Sequence, residues 1–361
     1  MKDDNKVKIS FAAIDPYIKE NKVLPVQKGI RGQEYWAWGV DNHYPTYLYE
    51  LYSNVPTLQS IINTLVDYVC GDEISTNWIY SDNDNISDLI FDIAKSYAIF
   101  GGFALSIVRN KLGDVAQISC LDFRNVRSNK EGTHYYYSSD FGEKSYGRIK
   151  TLCYPKFDKE QTSVMSSILY YKDDKYAVYP TPLYGAAITA CEIEKSIDEY
   201  HLNSINNNFM GSVLVSFNNG VPDDNIKNEI EKNFNEKFTG KENAGRVVIS
   251  YSDDKDHALS VEKIDTEDFS ERYKSLAERS QQAMFTAFRM TPTLVGINDN
   301  AKGFAREQYA DEYALFNKTM VKPIQKMILR TLCKIIDANI EITPFTIEFT
   351  DNTQTDKNIE E

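Results

Sequence analysis

Residues 184–211 read YGAAITACEIEKSIDEYHLNSINNNFMG and residues 268–290 read DFSERYKSLAERSQQAMFTAFRM; these two long helical patterns decide the fold. Between them lie a short apolar run, SVLVSF (212–217), a charged helical stretch, and a second run, AGRVVISYS (244–252). After the second pattern, Thr291-Pro292 breaks the helix and a short polar loop, GINDNAKG (296–303), leads into a third, FAREQYADEYALFNKTMVKPIQKMILRTLCKII (304–336). Two long helices bracketing a small α/β module, followed by a loop and one more helix, build an elongated subunit.

The apolar stripes on these helices are narrow. In 186–209 the stripe is Ile188, Cys191, Ile197, Tyr200 and Ile205, opposite Glu192, Glu194, Lys195, Asp198 and Glu199. Asn203, Asn206, Asn207 and Asn208 mark its fraying or capped end, because Asn competes for backbone hydrogen bonds. The second helix, 266–290, would run about 38 Å at 1.5 Å per residue. Its seam is Phe269, Tyr273, Leu276, Met284, Ala287 and Phe288, interrupted by Ser280. Helices with such seams need neighbours, either each other or copies in a ring. In the third, Tyr309, Tyr313, Phe316, Met320, Ile324, Ile328 and Leu332 share a face, and Pro323 predicts a kink.

Upstream, Leu58, Ile61, Ile62, Leu65, Val66 and Val69 recur at three and four, one face of a helix. Pro56 sits near its start, where a missing N–H costs little, and Gly71 stops it. A second helix carries Ile86, Leu89, Ile90, Ile93, Ala94 and Tyr97 and ends at Gly101-Gly102. Short strands follow over 103–108, 115–120, 133–137, 146–153, 168–171 and 176–179, separated by turn residues. Residues 1–45 show no sustained periodicity and read as an arm; Tyr35, Trp36 and Trp38 either pack onto the next helix or dock a neighbouring subunit. Alternation at Ile340, Ile342, Phe345, Ile347 and Phe349 predicts a returning strand within 340–350, and the polar end, 351–361, is expected to be disordered.

Composition narrows the classes. The chain has 361 residues, ample for two or three domains, with 42% apolar residues and a net charge of −13. Its five cysteines (Cys70, Cys120, Cys153, Cys191, Cys333) never fall in CxxC spacing, which argues against a disulfide framework or a zinc site and for a reducing compartment. No apolar run approaches the ~18 residues of a membrane span, and the N-terminus lacks a signal peptide's apolar segment. The acidity speaks against a tight DNA binder, though a conduit through which DNA slides is better lined with weak contacts.

Catalytic constellations are missing. The four histidines are isolated, and no metal-ligand, GxSxG or GxGxxG pattern occurs. At 235–242 a Walker A loop lacks its first glycine, where Asn235 stands. Asp223-Asp224 and Asp253-Asp254 read as turns. A hydrolase built on a carboxylate pair, or an oligomeric structural or adhesive protein using the 24 tyrosines, are the alternatives.

The order of several stretches resembles the portal proteins of tailed bacteriophages, the long-tailed phage family. Tyr184-Gly185 opens a helix ending Asn206-Asn207-Asn208-Phe209-Met210-Gly211; Glu242-Asn243-Ala244-Gly245-Arg246 runs into Val247-Val248-Ile249; and Ala287-Phe288-Arg289-Met290-Thr291-Pro292-Thr293-Leu294-Val295-Gly296 closes the second helix. Tyr44-Pro45 and the helix ending at Gly71 are similar to the family's entry, and the resemblance covers roughly residues 40–350.

The resemblance implies an α+β, portal-like fold: a wing domain over 46–184 with the return strand 340–350, stem helices over 185–210 and 265–291 bracketing a clip (211–264), a tunnel loop (292–303), a kinked wing or crown helix (304–338), and a minimal crown. It also implies a function, a DNA channel at one capsid vertex for packaging, ejection and head–tail connection. About a dozen copies would close a ring. The partners would be a terminase large subunit, the major capsid protein or scaffold, a head–tail adaptor and double-stranded DNA passing non-specifically, with no membrane, metal, cofactor or catalytic residue. The protein would reside in the virion, and in the host cytoplasm during assembly.

Two sets of residues follow from the resemblance. Asn298, Asp299, Asn300, Ala301, Lys302 and Gly303 would form the tunnel loop nearest the DNA, although a plain helix–helix connection has the same length. Asp223, Asp224, Lys227, Glu229, Lys232, Glu236 and Lys237 would dock partners on the clip helix, or be a solvated helix surface.

Overall fold

A computed structural model describes residues 27–29, 34–77, 86–139, 141, 151–206, 213–217, 247–251, 267–297, 306–336 and 338–345; for 28, 203–206, 213–217, 247–251, 267–272 and 306 it describes the backbone alone. The chain opens with β1 (Gln27–Gly29), β2 (Trp36–Trp38), α1 (Tyr44–Asn54), α2 (Pro56–Cys70), β3 (Glu73–Thr76) and α3 (Ile86–Phe100). Six strands follow: β4 (Gly102–Arg109), β5 (Val115–Leu121), β6 (Val126–Ser128), β7 (His134–Tyr137), β8 (Leu152–Pro155) and β9 (Ser166–Lys172). The remainder is α4 (Ile188–Asn206), β10 (Val213–Phe217), β11 (Val247–Tyr251), α5 (Glu267–Phe288), α6 (Arg306–Phe316), α7 (Lys322–Ile335) and β12 (Ile340–Thr343). This is the mixed α+β architecture expected. It divides into two compact units.

One unit comprises Met1–Leu48, Tyr80–Asp84 and Phe100–Pro182. Its main sheet has the antiparallel order β5-β4-β9. β4 is central, and its run GFALSIVR is buried along most of its length, as a strand covered on both faces should be. A second antiparallel sheet runs β6-β7-β8. The core here is aromatic. Trp38 is wholly buried, stacked on Tyr179 at 4.6 Å between ring centroids and edge-on to Phe123 at 5.5 Å. Trp38 also meets Tyr44, the first residue of α1, at 6.2 Å.

Arg127 is buried in this unit, with no carboxylate in contact among the described residues. Its donors go instead to the Asn42 side chain (2.7 Å) and to the carbonyls of Asn42, Arg124 and Val126, and its guanidinium lies 4.5 Å from the Phe141 ring. Burial lowers its pKa. Asn42 adopts a left-handed backbone (φ 61) that turns its side chain toward both Arg127 and the Trp38 N–H, which it accepts at 2.9 Å.

The strand expected over 176–179 does not form. The Val178 and Tyr179 N–H groups donate to the Gln27 side-chain oxygen (2.8 and 3.3 Å) rather than to a neighbouring strand, and the Tyr179 hydroxyl donates to the Trp36 carbonyl. A side chain satisfies the backbone that a ladder would have paired.

The other unit comprises Tyr49–Ile79, Asn85–Ile99 and Leu183–Glu361. In α2 all six stripe residues, Leu58 to Val69, are buried, and Pro56 occupies the first turn. Each such side chain contributes about 1.5–3 kcal/mol relative to exposure, as an upper bound. Gly71 ends the helix at φ 68, donating to the Asp67 carbonyl. A Cβ there would sit 2.0 Å from the Thr343 carbonyl oxygen, so the close passage of β12 as well as the backbone angle requires glycine. β12 pairs antiparallel with β3, Ile342 opposite Ile74, in a two-stranded sheet.

α4 and α5 pack on each other. Tyr184, just before α4, stacks on Phe288 at the end of α5, while Tyr200 stacks on Tyr273 near its start, so the two helices run antiparallel. Ser280, which interrupts the α5 seam, donates its hydroxyl to the Leu276 carbonyl at 2.8 Å and is thereby buried without an orphan group. Beyond these helices, β10 and β11 pair in parallel, Val213 opposite Val247. Parallel pairing requires a crossover connection; the helix expected over 224–238 lies outside the described residues.

α6 and α7 are joined by a π-helical turn, Asn317–Val321. The distortion predicted from Pro323 therefore falls in the turn before it. A proline has no N–H and crowds the carbonyl four residues earlier, and the widened turn accommodates this, with the Lys322 N–H donating to the Asn317 carbonyl.

Candidate functional site

The six residues of the expected loop, 298–303, and the seven charged residues at 223–237 lie outside the described residues. What the structure does describe is how the loop is held at both ends, all within one unit.

On the entry side, α5 ends in a Schellman motif. The Met290 N–H donates to the Phe285 carbonyl (3.0 Å) and the Arg289 N–H to the Thr286 carbonyl (3.1 Å). Phe285 and Met290, the two positions whose apolar contact commonly accompanies this cap, are both buried. The residue that must turn left-handed is Arg289, at φ 52, where glycine is usual. Such a conformation costs an ordinary residue about 1–2 kcal/mol. Thr291 is then extended, Pro292 starts a short 3-10 turn to Val295, and Gly296 turns left-handed at φ 85, its N–H accepted by Pro292 and Thr293. Ile297, exposed, donates its N–H to Pro292 and leads into the loop.

On the exit side, α6 returns past the same point. The Thr291 hydroxyl donates to a Glu312 carboxylate oxygen at 2.5 Å, and Gln308 donates to the other oxygen at 2.7 Å. Tyr68 of α2 joins both sides. Its hydroxyl lies 3.0 Å from the Leu294 carbonyl and 2.9 Å from the Tyr309 hydroxyl. Burial, above all, pushes the Tyr68 pKa well above the ordinary tyrosine value. Tyr68 therefore keeps its proton. The Tyr68 ring packs on Tyr313, Phe316 and Phe345, and Tyr313 donates to the Phe345 carbonyl at 2.9 Å. Gln325 of α7 donates to the Val69 carbonyl, at the end of the same helix α2.

Hydrogen bonds thus tie the chain before residue 298 to α2 and α6 on the far side of residue 305. Among the described residues no group of three or more His, Cys, Asp or Glu is placed to hold a metal ion, and no helix is long and apolar enough to cross a membrane.

α4 is anchored separately. Glu194 reaches the N-terminus of α2, where one carboxylate oxygen accepts from the Thr57 hydroxyl (2.8 Å) and N–H (3.4 Å). Its other oxygen is buried without a hydrogen-bond partner among the described residues. Burial raises the Glu194 pKa, against the lowering effect of the Thr57 bonds. Sequence reasoning placed Glu194 on an exposed face and did not find Tyr68, Thr291 or Glu312 as anchors. The signal for Tyr68 was a large side chain inside the α2 stripe, but nothing local names partners more than two hundred residues away.

A family model described as phage portal protein matches residues 81–351. Among solved structures, the virion of a native gene transfer agent particle matches with a TM-score of 0.51 at 15% identity, covering 83% of both chains. The neck of the empty particle matches with a TM-score of 0.52 at 14% identity, over 83% of this chain and 84% of that one. The neck of the native particle, computed with C12 symmetry, matches with a TM-score of 0.50 at 15% identity over 85% and 86%. At these identities the likeness is one of fold. No curated protein matches the chain in sequence.

Proposed function

Because the chain belongs to the phage portal protein family, we propose that it assembles into a closed ring around a channel for double-stranded DNA at one vertex of a phage capsid. The family match over residues 81–351 carries this reading, and the antiparallel α4–α5 pair supports it. In the ring, α4 and α5 are the stem helices, 211–264 is the clip, and 292–303 is the loop nearest the DNA. A dozen copies is the number proposed, the symmetry with which one similar neck was computed.

The work assigned to the chain is geometric. Stem helices set the channel width. Asn298, Asn300 and Lys302 offer phosphates single, exchangeable contacts, which position DNA without trapping it. The clip, with Asp223, Asp224, Lys227, Glu229, Lys232, Glu236 and Lys237, docks the terminase large subunit during filling and a head–tail adaptor afterwards, and the ring is seated among major capsid protein subunits. No covalent step is assigned to this chain. The protein resides in the virion and passes through the host cytoplasm during assembly.

Deleting Ala301–Gly303 tests the loop assignment. Rings should still form, while packaging or retention of DNA is impaired. If the deletion abolishes folding, the segment is a structural connection and the assignment fails.

A further inference from the structure

Residues 317–336 contain Lys318, Lys322, Lys326, Arg330 and Lys334 and no Asp or Glu, in a chain of net charge −13. The five cations recur at intervals of four through the π-helical turn and α7. All five are exposed, and none has an ion-pair or hydrogen-bond partner among the described residues. The opposite face of the same helix, with Ile324, Ile328, Leu332 and Ile335, is buried.

Steps of four residues advance about 6 Å each along a helix, so the stripe is about 24 Å long. Like charges four apart destabilise a helix, and this ladder repeats that unfavourable pairing four times with no acid to relieve it. The C-terminal members gain from the helix dipole, but that effect dies away within the last turn and leaves Lys318, Lys322 and Lys326 unexplained.

We propose that this stripe is a second, sequence-independent DNA-contact surface, binding duplex phosphates at a place distinct from the 292–303 loop. A protein partner fits poorly. Protein interfaces are depleted in lysine and built around aromatic and apolar anchors, and no large apolar side chain is exposed between Lys318 and Lys334 among the described residues. An anionic lipid surface fits poorly as well. Membrane-surface helices bury their apolar face in the bilayer, and here that face is already packed within the protein. A polymer of phosphates needs only a row of cations, and the duplex is the polyanion that the ring-and-channel function, on which this inference rests, brings to the protein.

The experiment is a titration of a fluorescent 30-base-pair duplex of mixed sequence with the assembled full-length protein across a salt series, with negative-stain images of every sample. Wild type is compared with the triple variant Lys322→Gln, Lys326→Gln, Arg330→Gln and with the charge-keeping variant Lys326→Arg. The triple variant should bind at least about tenfold more weakly at low salt. Its slope of log affinity against log salt should be shallower by about 2.7, or 0.9 per cation removed. Lys326→Arg should bind as wild type does. Rings whose DNA affinity and salt slope are unchanged in the triple variant overturn the stripe proposal and leave the ring intact. A stable small oligomer without a central hole in wild type contradicts the portal function itself. If polyglutamate or anionic vesicles bind through these residues and the duplex does not, the assignment to DNA is overturned.

Discussion

The hydroxyls of Tyr68 and Tyr309 lie 2.9 Å apart, and Tyr68 has one proton to give, directed at the Leu294 carbonyl 3.0 Å away. Tyr309 must therefore donate to Tyr68. One side chain on α2 thus fastens the chain before and after the loop that the portal reading places nearest the DNA.

Tyr68→Phe removes that fastening while keeping the ring contacts. It leaves the Leu294 carbonyl and the Tyr309 hydroxyl without this partner, at a cost of about 1–3 kcal/mol. Chemical denaturation of the unassembled chain measures the loss. An unchanged midpoint would show that water replaces the hydroxyl.

Arg289→Gly should stabilise the protein. Glycine takes the left-handed conformation without the 1–2 kcal/mol steric cost, less the 0.5–1 kcal/mol of backbone entropy that it brings to the unfolded chain. The net gain is about 0.75 kcal/mol at the centres of those ranges and at most about 1.5, and Arg289→Val should lose stability instead. A lower melting temperature for the glycine variant would mean that the arginine side chain contributes more than its backbone costs.

Glu194→Gln carries a pH signature. The folded-state pKa of Glu194 is raised, chiefly by burial. Such a group favours folding at pH values below its unfolded pKa, ordinarily near 4.5, and that contribution is lost as pH rises through the folded value. Glutamine keeps an acceptor for Thr57 and never ionises. The variant should therefore be the more stable protein at neutral pH, with the difference shrinking as the pH falls toward 4.5. Denaturation midpoints at several pH values read this directly, and a pH-independent difference would assign the effect to packing.

Lys326→Glu separates stability from binding. It turns the like-charged pairs with Lys322 and Arg330 into opposite ones, each step worth about 0.2–0.5 kcal/mol on either side of neutral. The variant should melt at a higher temperature and bind duplex DNA more weakly. A residue with a purely structural role would not move these two readouts in opposite directions.

Much of the fold was legible from periodicity. The α2 stripe, its start at Pro56 and its stop at Gly71 rest on local rules, and all three hold. At Pro323, where a kink is expected, the structure shows a π-helical turn just before the proline. What was not legible depends on distant partners. Gln27 replaces a ladder strand at Val178 and Tyr179 from some 150 residues away, so a β-rich sequence stays irregular there. The Schellman end of α5 carries no glycine, so nothing in the residues announces it. The basic stripe is a different case. Its spacing is plain in the sequence from Lys318 to Lys334, but it was hidden by the acidic balance of the whole chain.

The most direct test of the central claim is the mass of the purified full-length protein in solution, with negative-stain images of the same fractions. The portal function predicts closed rings, about a dozen subunits each, around a central hole. A stable small oligomer without a hole, such as a dimer, would contradict it.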